Sequence, residues 1–117
     1  MKVTVASAVS LAFAGLVAAC ASSFPPPNDE WAAAQADVGR AQAGGAPAVP
    51  DARLHLQLAV EDLQKSKALI GNDNQRAYTL TEVARSEAQL ALSLSKEAEA
   101  EGQASRTQAE VSRAAAK

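Results

Sequence analysis

The sequence predicts an all-α protein: an antiparallel helical hairpin or small three-helix bundle with an extended C-terminal helix, after a cleaved signal peptide. Three observations predict this fold class. Alanine accounts for 29 of the 117 residues, and only 18 residues from Cys20 onward are bulky apolar or aromatic. Apolar side chains recur three and four positions apart, which is the period of a helix face. Glycine- and proline-rich segments divide this pattern into three stretches.

Composition also argues against several function classes. A core so poor in bulky side chains cannot enclose a large pocket, so we expect no cofactor and no enzyme activity. Eleven basic and 13 acidic residues give a net charge of −2, and no basic patch stands out. Nucleic acid is therefore not an expected partner.

Residues 1–19 are typical of a lipoprotein signal peptide. Lys2 supplies a positive charge, and the apolar stretch after it is slightly short for a bilayer-spanning helix. The run from Leu16 to Cys20 (LVAAC) resembles the bacterial lipobox. That resemblance implies cleavage between Ala19 and Cys20, a diacylglycerol on the Cys20 thiol and acylation of the new amino group. These acyl chains would anchor the protein in a membrane.

Two other interpretations of this segment are a plain secretory signal with an incidental cysteine and a short membrane span.

The residue after Cys20 indicates which of the two membranes would hold the lipid anchor. Enterobacterial sorting reads aspartate at that place as a signal for inner-membrane retention, and Ala21 stands there instead. The resemblance therefore implies the periplasmic face of the outer membrane rather than the inner membrane.

The mature chain is expected to begin with a tether and a short helix. Prolines within residues 20–28 predict an extended tether that holds the folded part off the bilayer. Asn28 is a candidate N-cap for a helix over residues 29–43, which a glycine pair ends. The apolar face of this helix is Trp31, Ala34, Val38 and Ala41. We expect Trp31 to pack against the other helices; the alternative is a position among lipid headgroups.

The second helix is expected over residues 51–70, with Pro50 in its first turn and Gly71 at its end. One of its faces comprises Ala52, Leu56, Ala59, Leu63 and Ile70. Roughly opposite lie Leu54, Leu58 and Leu69. A helix that is apolar on two sides requires two neighbours.

The third helix is expected over residues 74–98, after a turn at residues 72–74. Its apolar stripe comprises Ala77, Leu80, Ala84, Ala88, Ala91, Leu94 and Ala98, widened by Val83 and Leu90. The short turn predicts an antiparallel hairpin with the second helix. Because 13 of the 18 bulky residues lie between Leu54 and Leu94, this hairpin is the predicted core.

Residues 99–117 have almost nothing to bury in this arrangement. Val111 is their only bulky residue, whereas their Ala, Glu, Gln and Arg residues favour helix. We expect an exposed helical or disordered tail, with order that falls toward Lys117.

We find no residue pattern that indicates catalysis or metal binding. His55 is the only histidine and has no companion ligand, so we expect it to lie at the boundary of the core. The carboxylates at residues 29–30, 61–62 and 97–101 lack the bulky surroundings that acid–base catalysis requires, and we expect them to be solvated.

Four features occur together in the mature chain: the alanine-rich first helix, the Gly/Pro break after it, KALIG at residues 67–71 and EAQLA at residues 87–91. In this combination residues 31–101 resemble domain of unknown function 4398, whose members are short alanine-rich helical modules of bacterial envelope lipoproteins. The resemblance implies a helical envelope protein without established catalytic residues. Lys117 is similar to the C-terminal lysine through which murein lipoproteins of enteric bacteria attach to peptidoglycan.

We therefore expect a non-catalytic, lipid-anchored envelope lipoprotein that acts as a helical spacer, scaffold or interaction module in the periplasm. Its expected partners are the membrane, through acyl chains on Cys20, and an envelope protein or peptidoglycan. The alternative function is a tether that Lys117 links covalently to peptidoglycan.

Overall fold

The computed structural model describes residues 23–117, and over that range the chain is all-α, without a strand. Its three α-helices are α1 (Asn28–Ala43), α2 (Pro50–Leu69) and α3 (Asn74–Ala115). A short 3-10 helix, Ala46–Ala48, lies in the predicted break between α1 and α2. The predicted fold class is confirmed as a three-helix bundle whose last helix is long. The predicted signal peptide, residues 1–19, and the lipidation site Cys20 lie outside the described residues.

The ends of the helices follow glycine, proline and capping residues. Gly45 and Gly71, after α1 and α2, have φ angles of 91° and 90°, which glycine adopts without strain. Pro50 occupies the first turn of α2, where its missing N–H leaves no hydrogen bond unmade. The carboxylate of Asp73 accepts a hydrogen bond from the backbone N–H of Arg76, which caps α3.

Asn28 is not the N-cap that the sequence predicts. It already lies inside α1, and no side chain caps that end of the helix. The Pro27 carbonyl instead accepts the first hydrogen bond, from the backbone N–H of Trp31 at 3.0 Å. Because the Asn28 N–H donates to the Pro26 carbonyl at 2.9 Å, one free donor of the first turn is satisfied without a side chain.

Residues 24–27 are not the free tether that the sequence predicts. The ring centroids of Phe24 and Tyr78 are 5.5 Å apart, and Asn74 Nδ2 donates to the Phe24 carbonyl oxygen at 2.8 Å. Pro27 is buried. These apolar rings lose contact with water when they pack on the bundle, which favours docking over an extended tether. The amino-terminal segment therefore joins the bundle beside the first turn of α3.

The core is thin because most of its side chains are alanine. Its buried apolar residues are Ala34, Val38, Ala41, Ala46, Ala52, Leu56, Ala59, Leu63, Ala77, Ala84, Ala88 and Ala91. Of the two apolar faces predicted for α2, the one with Leu54 and Leu58 is exposed, so the prediction of a neighbour on each side is wrong for this face. The predicted face of α1 and the other face of α2 agree with the buried set apart from half-buried Trp31 and Ile70. Val83 and Leu90 do not, since both are exposed: α2 covers the alanine stripe of α3 and does not extend over the edge on which these two residues lie.

The last helix continues well past the bundle. Its 42 residues correspond to about 63 Å at 1.5 Å per residue. Ser95 is its last buried residue, and the rest of the helix is exposed apart from two half-buried alanines. The rod stays helical because alanine, glutamate, glutamine and arginine have high helix propensity. Among the described helices, α3 included, none combines the length and the apolar character that a bilayer span requires.

Candidate functional site

Asp37 is the most deeply buried ionisable side chain of the described residues, at 3% exposure. Its Oδ2 accepts hydrogen bonds from Arg85 Nε at 3.1 Å and from Gln89 Nε2 at 3.2 Å, both on α3. Its Oδ1 forms an ion pair with Arg40 on α1. Three donors therefore satisfy this carboxylate. The cluster fixes the orientation of α1 on α3 and leaves no free acid or base.

This cluster was not predicted from the sequence, although the sequence contains a signal for it. Asp37 lies three residues after Ala34 and four before Ala41, inside the apolar repeat of α1. A charged residue at such a position is buried when the helix packs, so it requires a partner of opposite charge. The partner, Arg85, lies 48 positions later in the chain, and nothing in the sequence around Asp37 identifies it.

His55 also has a partner that the sequence did not indicate. Its Nδ1 lies 2.5 Å from Oε2 of Glu87, and both side chains are about one-quarter exposed. The pair connects α2 to α3 at the edge of the core, which agrees with a boundary histidine. Within residues 23–117 no three His, Cys, Asp or Glu side chains lie close enough to hold a metal ion.

Two hydroxyl groups lie in the interface between α2 and α3. Ser66 Oγ is 2.6 Å from Thr81 Oγ1, and each hydroxyl oxygen also lies within hydrogen-bond distance of the Ala77 carbonyl, at 2.8 and 2.9 Å. Both side chains are completely buried. Small residues here allow the two helices to approach closely, and the mutual hydrogen bonds satisfy the polar groups that this approach buries.

Trp31 packs on α2, as the first of the two sequence interpretations expects. Its Nε1 donates to the Leu63 carbonyl oxygen at 3.0 Å, and Lys67 Nζ lies 5.1 Å from the ring centroid, in cation–π range. Beside the indole runs an open groove of about 480 Å³ between α1 and α2. Valine, leucine and glutamine side chains line most of it, so it offers no paired acid and base.

The tail carries a packing surface that consists of small residues. Along α3 a small residue recurs at alternating spacings of four and three, at Ala77, Thr81, Ala84, Ala88, Ala91, Ser95, Ala98, Gly102, Ser105, Ala109, Ser112 and Ala116. This is the seam period of a coiled coil. The first six positions are buried in the bundle and the last six are not. The repeat escapes a search for bulky residues because it contains none.

Cys20 and Ala19 lie outside the described residues, whereas Lys117 is exposed beyond the end of α3. No protein-family model matches this chain, and no curated protein or solved structure shows significant similarity to it. By architecture, the described residues form a three-helix bundle with a projecting helix, a docked amino-terminal segment and shallow surface grooves.

Proposed function

We propose that this chain is a non-catalytic, lipid-anchored lipoprotein of the bacterial outer membrane that acts as a helical spacer, scaffold or interaction module in the periplasm. One observation carries the proposal. Phe24 packs on Tyr78 at the first turn of α3, whereas the free end of α3 lies about 60 Å away. A lipid on Cys20, three residues before Ser23, would hold the bundle beside the membrane and direct the tail away from it.

The anchor itself rests on the lipobox resemblance of the run that ends at Cys20 and stays a prediction. The envelope location rests on the same resemblance, and the choice of the outer membrane rests on Ala21. In the structure, residues 24–27 pack on the bundle. Only a short segment therefore separates Cys20 from the folded bundle. The bundle would therefore lie close to the lipid headgroups.

The interaction part of the proposal rests on the tail. Positions 98–116 of the small-residue repeat lie beyond the bundle, although the same repeat packs against α2 over positions 77–95. A helix face that already serves helix packing in one half is suited to it in the other. An envelope component that presents a helix is the expected partner.

Cys20→Ser is expected to abolish acyl labelling and to release the protein from the membrane fraction. The reason is that a serine hydroxyl does not replace the thiolate as acceptor of the lipid. Labelling with a fatty-acid analogue and fractionation of cells measure the two effects, and Ser23→Ala, three residues away, is the matched control that should behave as wild type. A Cys20→Ser protein that stays with membranes would show that lipidation is not the anchor.

Deletion of residues 99–117 is expected to leave the thermal midpoint of the bundle nearly unchanged. These residues contribute helix propensity but almost no burial, and burial supplies most helical stability. Circular dichroism during heating measures the midpoint, and the deletion should also weaken crosslinks to envelope components in cells. A fall of many degrees would instead make the tail part of the stable fold, through self-association along Ala98, Ser105, Ala109 and Ala116.

The alternative function, a covalent tether through Lys117, also stays a prediction. Lys117 is exposed just past the end of α3, which is the accessibility that such a bond requires. Mass spectrometry of purified cell wall separates the two proposals, since only the tether leaves a C-terminal peptide joined to a muropeptide. The Lys117→Arg variant, which keeps the positive charge, should lack that product.

A further inference from the structure

One of the two apolar sides of α2 has no neighbour within the described chain. Both α1 and α3 pack on the side that contains Leu56 and Leu63, which is buried. On the other side, Leu54 is 55% and Leu58 39% exposed. The sequence pattern of α2 calls for a neighbour on each side, and the fold supplies neighbours on one side only.

The adjacent edge of α3 continues this apolar surface. Val83 and Leu90 are each 42% exposed, and Leu80 and Leu94 are half-buried. With Glu87, which pairs with His55 across the two helices, they follow coiled-coil spacing over five positions. At 100° per residue, this stripe lies on the opposite side of α3 from the side chains that hold α1. We call Leu54, Leu58, Leu80, Val83, Leu90 and Leu94 the back face.

Charges of opposite sign lie at the two ends of the back face. Arg76 lies four residues before Leu80, and Glu97 and Glu101 lie three and seven residues after Leu94, on the same side of α3. None of these three side chains takes part in an ion pair within residues 23–117. Along α3 the surface is therefore basic at one end and acidic at the other, and apolar between them except for the Glu87–His55 pair at its middle.

We propose that the back face binds a second copy of this chain through a twofold axis perpendicular to the helices, so that the two α3 helices pack antiparallel. When Leu80 packs against the partner's Leu94, Arg76 comes opposite the partner's Glu97 and the partner's Glu101. Each end then meets the opposite charge. A parallel dimer would bring ends of like charge together and is disfavoured.

The size of the surface fits such a pair. From Arg76 to Glu101 the helix extends about 38 Å, with α2 beside it over about the first 24 Å; a width of about 20 Å there and about 10 Å beyond gives about 600 Å², which is the lower end of the range for stable interfaces. A standard stable interface covers about 800 Å² on each partner. Twofold symmetry requires a self-complementary surface, and a face that is basic at one end and acidic at the other has that property.

The dimer has a consequence for orientation. Because Phe24 lies beside Tyr78 near one end of the bundle, the two amino-terminal segments would be about 27 Å apart along the rod, facing opposite ends. If both copies carry lipid, the dimer would lie along the membrane surface, and the orientation in which the tail points away from the membrane would belong to the unpaired chain alone. The inference itself does not depend on lipidation, since the back face consists of described residues alone.

Sedimentation equilibrium of the full chain in density-matched detergent tests the association. We expect a dimer that Arg76→Glu weakens at least about tenfold, and that Arg76→Glu with Glu97→Arg and Glu101→Arg restores. Leu58→Gln should yield a monomer with unchanged helicity because Leu58 is exposed in the monomer. Val111→Gln, at a 63% exposed tail residue, is the matched control. A chain that is monomeric at all concentrations would overturn the proposal.

Crosslinking tests the direction of packing. A mixture of Val83→Cys and Leu90→Cys chains, each also carrying Cys20→Ser, should form disulfides between the two different variants and not between like variants, since positions 83 and 90 meet only in the antiparallel arrangement. Within one chain they lie about 10 Å apart along the helix, too far for a disulfide. The contrary result is a dimer that keeps its affinity after Leu54→Gln and Leu58→Gln but loses it when residues 99–117 are deleted. Such a dimer would be held together by the tail, which would overturn the proposal. Acyl labelling is read separately, so neither result bears on the lipid anchor.

Discussion

Leu63→Ala is expected to lower the free energy of unfolding by about 2–5 kcal/mol, the range for a buried leucine replaced by alanine. Leu63 is almost fully buried at the centre of the core face of α2. Most of its buried neighbours are alanines, which are too small and too rigid to fill the space that the leucine leaves. In a domain whose total stability is about 5–15 kcal/mol, this is a large fraction.

Urea denaturation followed by circular dichroism measures the loss, since the midpoint shifts at constant slope when only stability changes. Leu54→Ala provides a matched control on the same helix, because Leu54 lies on the exposed side. Measured at a concentration where the chain is monomeric, the control should lose less than about 1 kcal/mol. Equal losses at the two positions would contradict the assignment of the buried face.

Arg85→Met is expected to lower the free energy of unfolding by about 2–4 kcal/mol. The substitution removes the guanidinium that neutralises buried Asp37 across the α1–α3 interface. The carboxylate then keeps only Gln89 and Arg40, and the latter is largely exposed. A buried charge that loses a partner retains its full desolvation penalty.

Substitution of the other member of this ion pair, Asp37, distinguishes the cost of an unpaired buried charge from a general loss of contact. Asp37→Asn is expected to lower the free energy of unfolding by only about 1–2 kcal/mol, because the Arg85 side chain that it leaves behind is partly exposed and water can solvate it. Arg106→Met, in the exposed tail, is the control that should change stability little. A larger loss for Asp37→Asn than for Arg85→Met would contradict this account.

Much of the bundle was predictable from local sequence. Gly45, Gly71 and Pro50 mark the helix ends because each restricts or frees the backbone in a way that neighbouring residues cannot override. The spacing of Ala34, Val38 and Ala41 predicted which side of α1 would be buried, because a helix with one apolar side lowers its free energy by turning that side away from water.

The tertiary structure alone decided which side chains meet. The pairs Asp37–Arg85 and His55–Glu87 depend on how the helices rotate and slide against one another, and no local pattern encodes that register. The docking of Phe24 on Tyr78 likewise depends on where a distant helix begins. Sequence periodicity showed that α2 is apolar on two sides, but only the packing showed which side stays exposed. Periodicity records what each helix can bury, whereas the geometry of the whole chain decides what it buries.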